Sequence, residues 1–317
     1  MKTPNIEVVP YDSKWPEQFE LQAAVIKNAL GDNALAIHHV GSTSVPGLAA
    51  KPKIDMIAEV RDLNFSHDPL LNLGYTYRGG FSIPFRKSFT LRAKDLMVNL
   101  HVFERDDPEI ELNLLFRDYL RNNPAARDEY ATLKYELVKK DSSHQKNGAV
   151  YRGYTLDKYD FIQDVLKRSG FNQLRFVLCV HHKEWSAAKM FRQKYFFDKV
   201  SIQDPYTWTF DHPQHEHVVL YLGTEIIGYA HIQLWPDKRA AIRIIVIDEE
   251  KRNHNYGGKL LALCEEWLKY RGYKSIHTES SPVAVAFYRK HGYTEMPFND
   301  PEGYEGGAED TAMGKLL

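Results

Sequence analysis

The 317 residues carry 41 Lys+Arg against 42 Asp+Glu, a formal net charge of -1, and that balance excludes a general nucleic-acid binder, whose electrostatic footprint is basic. No run of about 18 apolar residues occurs, so no membrane span is expected, and the opening MKTPNIEVVP has no apolar signal core. A hydrophobic content of 43% suffices for ordinary cores, and the length suggests two domains, divided near residues 171–174.

In chain order, residues 7–10 read as a short first strand and 13–30 as an amphipathic helix with Pro16 near its first turn. Ala34–Val40 and Ile54–Val60 read as strands. The small, hydroxyl-rich turn between them, beginning Gly41, Ser42, Thr43, suits a phosphate cradle or an ordinary strand connection. It is not a P-loop, because the glycine-to-lysine spacing is wrong and Pro52 stands where a Ser or Thr would bind magnesium. Arg78, Arg86, Lys87, Arg92 and Lys94 form a basic stretch, either a solvated sheet surface or a phosphate clamp. His101, in an alternating strand, reads as a hydrogen-bonded core residue. Residues 109–122, 123–140 and 154–169 read as helices, the second opened by Pro124.

These residues resemble the GrpB family. The likeness is carried by His39 through Leu48 (HVGSTSVPGL), Lys51, Pro52, Ile54, Asp55, the triplet Leu100, His101, Val102, the run 116–124 (FRDYLRNNP), Tyr130 and Lys134. It implies a nucleotidyltransferase-like mixed sheet with helices over residues 1–170, in which Gly41, Ser42 and Thr43 hold phosphates and Asp55 lies on a magnesium-binding strand. Ile57 stands where a second carboxylate would share the strand face, which leaves one carboxylate for a metal. GrpB segments also resemble a module of dephospho-CoA kinases, so a nucleotide or a CoA-related ligand is expected in this half.

In the second half, residues 173–181 read as a strand and 183–197 as a helix. A meander follows, 218–222, Glu225–Leu234 and 240–247, with turn signals at Gly223, Thr224 and at Pro236, Asp237. The polar loop 248–255 leads to a helix from Tyr256, whose Leu260, Leu261, Cys264, Trp267 and Leu268 fall at helical spacing. Gly257 and Gly258 at its start let the backbone approach a ligand, and first-turn N–H groups with the helix dipole behind them favour an anion such as a diphosphate. Residues 273–278 read as a strand, 282–291 as a helix, and 292–296 and 310–316 as closing strands. Cys179 and Cys264 read as buried thiols in a reducing cytoplasm. His212, His215 and His217 with Glu216 match no zinc spacing and read as a loop-to-strand surface, so no metal is expected there.

This order, with Arg252, Asn255, Gly257, Gly258 and the later run 286–293 (AFYRKHGY), resembles the GNAT N-acetyltransferases over residues 171–317, a mixed, mostly antiparallel sheet with flanking helices. The resemblance implies acetyl-CoA as cosubstrate. Ile245 and Ile247 would offer backbone groups to pantetheine and the thioester, and Arg252, Asn255, Gly257, Gly258 and Lys259 would hold the pyrophosphate. Tyr288 would protonate the leaving thiolate. Asn255 replaces a glycine of the family loop but tolerates left-handed geometry. Ser281 replaces a frequent asparagine, and Ala241 replaces the glutamate that some relatives use as base, leaving His231, Glu279 or a water.

Trp208, Phe210, Phe298 and Tyr304 are candidates for an acceptor wall, and Glu302, Glu305, Glu309 and Asp310 would either meet a cationic amine or form a solvated loop. The expectation is an α+β, cytoplasmic, two-domain enzyme acetylating a small primary amine by direct transfer, with no nucleic-acid or membrane partner. Two alternatives stay open: a CoA or nucleotide sensor without turnover, and an active nucleotidyltransferase in the first half.

Overall fold

A computed structural model describes residues 6–140, 142, 146–147, 150–303 and 306–317. The chain divides into two compact units, Met1–Phe81 with Phe85–Gln173, and Ser82–Pro84 with Leu174–Leu317. Both are α+β.

In the first unit the chain runs α1 (Trp15–Leu30), β1 (Ala34–Val40), β2 (Ile54–Val60), α2 (Asp68–Asn72), β3 (Thr76–Gly79), β4 (Lys87–Arg92), β5 (Met97–Glu104), α3 (Pro108–Asn122) and α4 (Pro124–Val138). A two-residue hairpin, β6 (Lys146–Asn147) and β7 (Val150–Tyr151), precedes α5 (Arg152–Leu156) and α6 (Tyr159–Arg168). The five-stranded sheet has the order β1-β2-β5-β4-β3. Its β2–β5 pair is parallel and the other pairs are antiparallel. Parallel neighbours need a long crossover and burial on both faces, which is why β2 reads as nearly unbroken apolar sequence.

Trp15, Phe19 and Ile26 of α1 pack with Met56, Phe89 and Leu100. A second cluster joins Val45 and Leu48 of the turn after β1 to Leu120, Ala126 and Tyr130 of α3 and α4. Asp107 caps α3, accepting from the Glu109 N–H at 2.9 Å. Pro124 then separates α3 from α4. The first strand expected at residues 7–10 is only one bridge, between Val9 and Ala50. The helix expected over 154–169 breaks into α5 and α6, so Lys158 becomes the residue preceding α6.

The second unit runs β8 (Leu174–Leu178), α7 (His182–Arg192), β9 (His215–Leu222), β10 (Glu225–Leu234), β11 (Arg239–Ile247), α8 (Tyr256–Tyr270), β12 (Ser275–Ser280), α9 (Val285–Lys290), β13 (Thr294–Glu295) and β14 (Thr311–Leu316). The sheet order is β13-β14-β12-β11-β10-β9-β8. β9 to β11 form the expected antiparallel meander, β8 joins β9 in antiparallel, and β11 pairs with β12 in parallel. Beyond α7, whose capping box is built from His181 and Glu184, the helix expected to reach Phe197 becomes a π-helical turn, Gln193–Phe197. That turn places the Tyr195 hydroxyl to accept from the Glu249 N–H (3.0 Å) and donate to Asp248 (3.1 Å), tying it to the loop after β11.

Candidate functional site

Each unit contains a cavity lined by chemically capable side chains. In the second unit the site begins where two strands separate. β11 runs on to Ile247, yet it pairs with β12 only at Arg239, Ala240 and Ala241. Past Ala241 the edge of β11 that faces β12 takes on no further strand partner among the described residues. An unpaired strand edge is a template for another extended, amide-bearing chain. Ile245 and Ile247 lie on this stretch, with Ile247 buried. A Cβ on Gly228, opposite Ile247, would meet the Ile247 Cδ1 at 2.6 Å, so glycine makes room for that side chain.

The loop after β11 brings its predicted residues together. Arg252 donates to the Ile247 carbonyl (3.2 Å) and lies over the Tyr195 ring. Asn255 adopts the left-handed conformation (φ 61°) that its glycine-like position demands and gives α8 no side-chain cap. The first-turn N–H groups of α8 therefore face an open end. Lys259 is exposed there. The two glycines do different work. Gly257 has room for a methyl group, with Phe287 at 3.5 Å, whereas a Cβ on Gly258 would meet His291 at 2.6 Å and Asn255 at 2.8 Å. Gly258 thus serves close packing of α8 against the end of α9.

Tyr288 of α9 is 4% exposed. Burial pushes its hydroxyl up to about 12, opposed by its hydrogen bond with the Thr278 hydroxyl. Thr278 in turn donates to the Ile242 carbonyl at 3.0 Å, so Tyr288 connects to the point where β11 and β12 part.

A cavity of about 380 Å³ opens at the same place, lined by Ile242 and Ile244 from β11 and Glu279 from β12. Trp208 and Phe298 line it as expected, with Asp310. Phe210 does not; its ring packs on Trp185 and His217, and Phe196, Phe197 and Tyr206 supply aromatic wall instead. Tyr304 and Glu305 lie outside the described residues.

Of the histidines expected at a surface, His215 and His217 are buried, because alternation along β9 turns both onto one face beside His231 of β10. Their protons can be placed. Arg192, held by two hydrogen bonds to Asp204 (2.5 and 2.9 Å), can only donate, so His231 Nδ1 accepts from it at 3.1 Å. His231 Nε2–H then donates to His215 Nδ1 at 2.8 Å, and the His215 proton sits on Nε2. Burial and neighbouring positive charge hold His215 down to about 4 and His231 well below its ordinary value, so both stay neutral. His231 therefore has no free lone pair and is not a base. His215 Nε2 and Gln233 Nε2 are buried donors with no partner among the described residues, and both side chains line the cavity. Glu279 of β12, accepting from the Gly306 N–H at 2.7 Å with its second oxygen 4.0 Å from Arg243, is a carboxylate on the cavity wall.

In the first unit, a cavity of about 390 Å³ is bounded by the turn after β1, including Gly41, Ser42 and Thr43, and by Asp55 and Asn99. Gly41 has φ 69°, and a Cβ there would lie 2.6 Å from Asp55 Oδ2. Arginines clamp the turn: Arg121 donates twice to the Ser44 carbonyl (3.0 and 2.7 Å) and Arg117 to the His39 carbonyl (3.1 Å). Of the two readings of Arg78, Arg86, Lys87, Arg92 and Lys94, the phosphate clamp is not at this cavity, since none of them lines it; Arg86 and Arg92 bond backbone carbonyls of their own hairpins, and Arg92 also the Asn99 side chain. Lys51, Lys53, Lys134 and Lys158 line it instead. His101 lines it as a neutral ring, bonded to Ser88 at 3.2 Å and pushed down to about 3 by burial and Arg86.

Magnesium does not fit these residues. Asp55 is the one carboxylate among the lining residues, its Oδ1 is taken by Asn99 at 2.6 Å, and the surrounding charge is cationic. Among the described residues no group of three or more His, Cys, Asp or Glu is placed to hold a metal, and no helix is long and apolar enough to cross a membrane.

The GrpB protein family model matches residues 5–168, and the acetyltransferase (GNAT) family model matches residues 180–293. UPF0157 protein YqkA of Bacillus subtilis is 41% identical over 137 residues, 42% of this chain and 40% of that protein. Dephospho-CoA kinase of Mycobacterium tuberculosis is 27% identical over 190 residues, 51% of this chain and 45% of that protein. The chain thus spans less than half the length of either relative. A crystal structure of the conserved protein GrpB from Enterococcus faecalis is similar at 33% identity and TM-score 0.45, over 51% of this chain and 96% of that one.

Proposed function

Since the chain belongs to the GrpB family and continues into a GNAT acetyltransferase domain, we propose that it transfers the acetyl group of acetyl-CoA to a small primary amine in the cytoplasm. We assign residues 1–170 to the GrpB half and 171–317 to the acetyltransferase half. The observation that carries the proposal is the cavity at the parting of β11 and β12, which has both strands in its wall. Pantetheine lies along the free edge of β11 at Ile245 and Ile247. Its diphosphate sits at the start of α8, against the N–H groups of Gly257 and Gly258 and the side chains of Arg252, Asn255 and Lys259. The thioester carbonyl then faces an amine in the cavity, and holding the two together supplies much of the rate.

The amine nitrogen attacks the carbonyl carbon and its lone pair forms the C–N bond. Glu279 takes the proton released from nitrogen. As the C–S bond breaks, Tyr288 gives its proton to the departing thiolate. With Ala241 at the usual position of a base and His231 fully bonded, Glu279 is the group we assign to that task. Aromatic walls with Glu279 and Asp310 suit a cationic amine. The unpartnered donors on His215 and Gln233 favour an amine that also carries a hydroxyl or carboxylate oxygen. For the first half we propose a nucleotide or CoA-related ligand, a reading supported by its likeness to a segment of a dephospho-CoA kinase.

Steady-state kinetics test the roles. Tyr288→Phe and Glu279→Gln should each lower kcat by about 10²–10⁴-fold with acetyl-CoA affinity kept. Wild-type turnover in Tyr288→Phe removes it as the acid, and wild-type turnover in Glu279→Gln removes it as the base.

A further inference from the structure

The second-unit cavity holds two donors whose direction is set by groups behind them. Gln233 of β10 and His215 of β9 are cross-strand partners, so their side chains stand together on one face of the sheet, and both line the cavity. Gln233 is 1% and His215 8% exposed. Arg243 donates twice to Gln233 Oε1, at 2.7 and 2.5 Å. A guanidinium can only donate, so the amide oxygen faces it and the amide nitrogen turns away. The same logic, running through Arg192 and His231, leaves the His215 proton on Nε2. Each side chain thus ends in an N–H group with no partner among the described residues. A buried donor without a partner costs free energy until an acceptor arrives.

The charge of the wall decides which oxygen that acceptor is. Arg192 is paired with Asp204 and Arg243 with Asp300, and both aspartates are buried, at 7% and 2% exposure. The other charged lining residues, Glu279 and Asp310, are acids, while His215 and His231 are neutral. Counting Arg192 and Arg243 against Asp204, Asp300, Glu279 and Asp310, acids exceed cations. A carboxylate brought here would be desolvated among like charges, whereas an uncharged oxygen accepts from the two neutral donors without that cost. Gln233 accepts from Nε and Nη2 of Arg243, and Glu279 lies 4.0 Å from Nη1 of the same guanidinium. The carboxylate that meets the amine and the amide that meets the oxygen therefore flank one side chain, within reach of a single short molecule.

We propose that His215 and Gln233 are specificity-determining residues of the acceptor site. They select an amine carrying an uncharged oxygen a few bonds from nitrogen, a hydroxyl, ether or carbonyl, over a plain alkylamine and over an amino acid. The proposal rests on the reading of the second half as an amine acetyltransferase and names the substrate class of that site.

Methoxyethylamine, butylamine and β-alanine test it. The first two are matched in length and differ by an oxygen in place of a methylene; the third carries a carboxylate. Binding of each to the full chain in the presence of CoA is followed by ligand-observed NMR, which needs no turnover, and kcat/KM for thiol release from acetyl-CoA is measured separately. Methoxyethylamine is expected to bind about tenfold or more tighter than either of the others, as two recovered hydrogen bonds would give, with kcat/KM in the same order. Gln233→Glu keeps an oxygen for Arg243 and loses the N–H donors. His215→Asn keeps an acceptor for His231 and withdraws the distal N–H. Each should cut the preference for ether over alkane to about threefold or less; the charge that Glu adds cancels in this ratio, because both probes carry the same ammonium. If neither variant folds, the wild-type ratios decide. Equal binding of methoxyethylamine and butylamine, the wild-type ratio kept in both variants, or no binding of methoxyethylamine at about 10 mM overturns the proposal. Tighter binding of β-alanine overturns it as well, since the site would then hold a carboxylate. Absence of thiol release with every amine refutes acetyl transfer and leaves the binding ratios to decide the selectivity.

Discussion

Asp204→Ala isolates the ion pair on which the buried histidines depend. Arg192 is 1% and Asp204 7% exposed, and the two hydrogen bonds between them measure 2.5 and 2.9 Å. Removing the carboxylate strands a guanidinium that cannot shed its proton. A buried pair broken on one side costs about 3–5 kcal/mol, and at about 2–4 °C per kcal/mol for a unit of this size the melting transition should fall by about 6–20 °C. The partner experiment is Arg192→Met with Asp204→Leu, which removes both charges and leaves neutral groups without a partner, His231 Nδ1 foremost, at a cost of about 1–3 kcal/mol for that buried acceptor. The double variant should therefore be more stable than Asp204→Ala alone. Differential scanning calorimetry with urea unfolding of the full chain reads both. A loss below about 1 kcal/mol in Asp204→Ala would mean the pair is not desolvated, and the proton placement on His231 and His215 would lose its anchor.

Acid should weaken the protein earlier than its carboxylates require. His217 and His101 are held down to about 3 by burial and His231 well below its usual range, so the unfolded chain takes up protons that the folded one refuses. Stability is then full above about pH 6.5 and falls as pH drops toward the folded values, by about 2 kcal/mol per histidine at pH 5; urea midpoints that stay level between pH 7 and 5 contradict this. Gly258→Ala should cost about 1–3 kcal/mol and raise the KM for acetyl-CoA, because His291 and Asn255 must move from the new methyl group. Gly257→Ala, with Phe287 at an ordinary 3.5 Å, should leave stability nearly unchanged, and equal effects from the two substitutions refute the distinction.

Local chemistry made much of the fold legible in sequence. Ala34–Val40, Ile54–Val60 and Glu225–Leu234 are strands with the expected bounds, since β-branched runs between turn residues leave little choice. Asn255 was legible as a left-handed residue for the same reason. Features built by distant segments were not. Lys51, Lys134 and Lys158 stand far apart in the chain and meet only through tertiary packing, whereas the basic stretch at 78–94 drew attention and spends Arg86 and Arg92 on backbone carbonyls and Arg78 on the Thr90 hydroxyl. His215 and His217 looked like a surface because their neighbours are polar. The signal that could have found their burial was the period of two shared with Val219 and Tyr221. Glu279 was one candidate among several until the hydrogen bonds of Arg192 fixed the His231 proton.

Release of free thiol from acetyl-CoA by the full chain, followed across a panel of primary amines with and without hydroxyl or carboxylate groups, bears most directly on the enzyme. Saturable release that depends on the amine and is strongest for oxygen-bearing ones is the expected result. Tight acetyl-CoA binding with no release above buffer for any amine would contradict transfer and leave the second half a coenzyme-binding module.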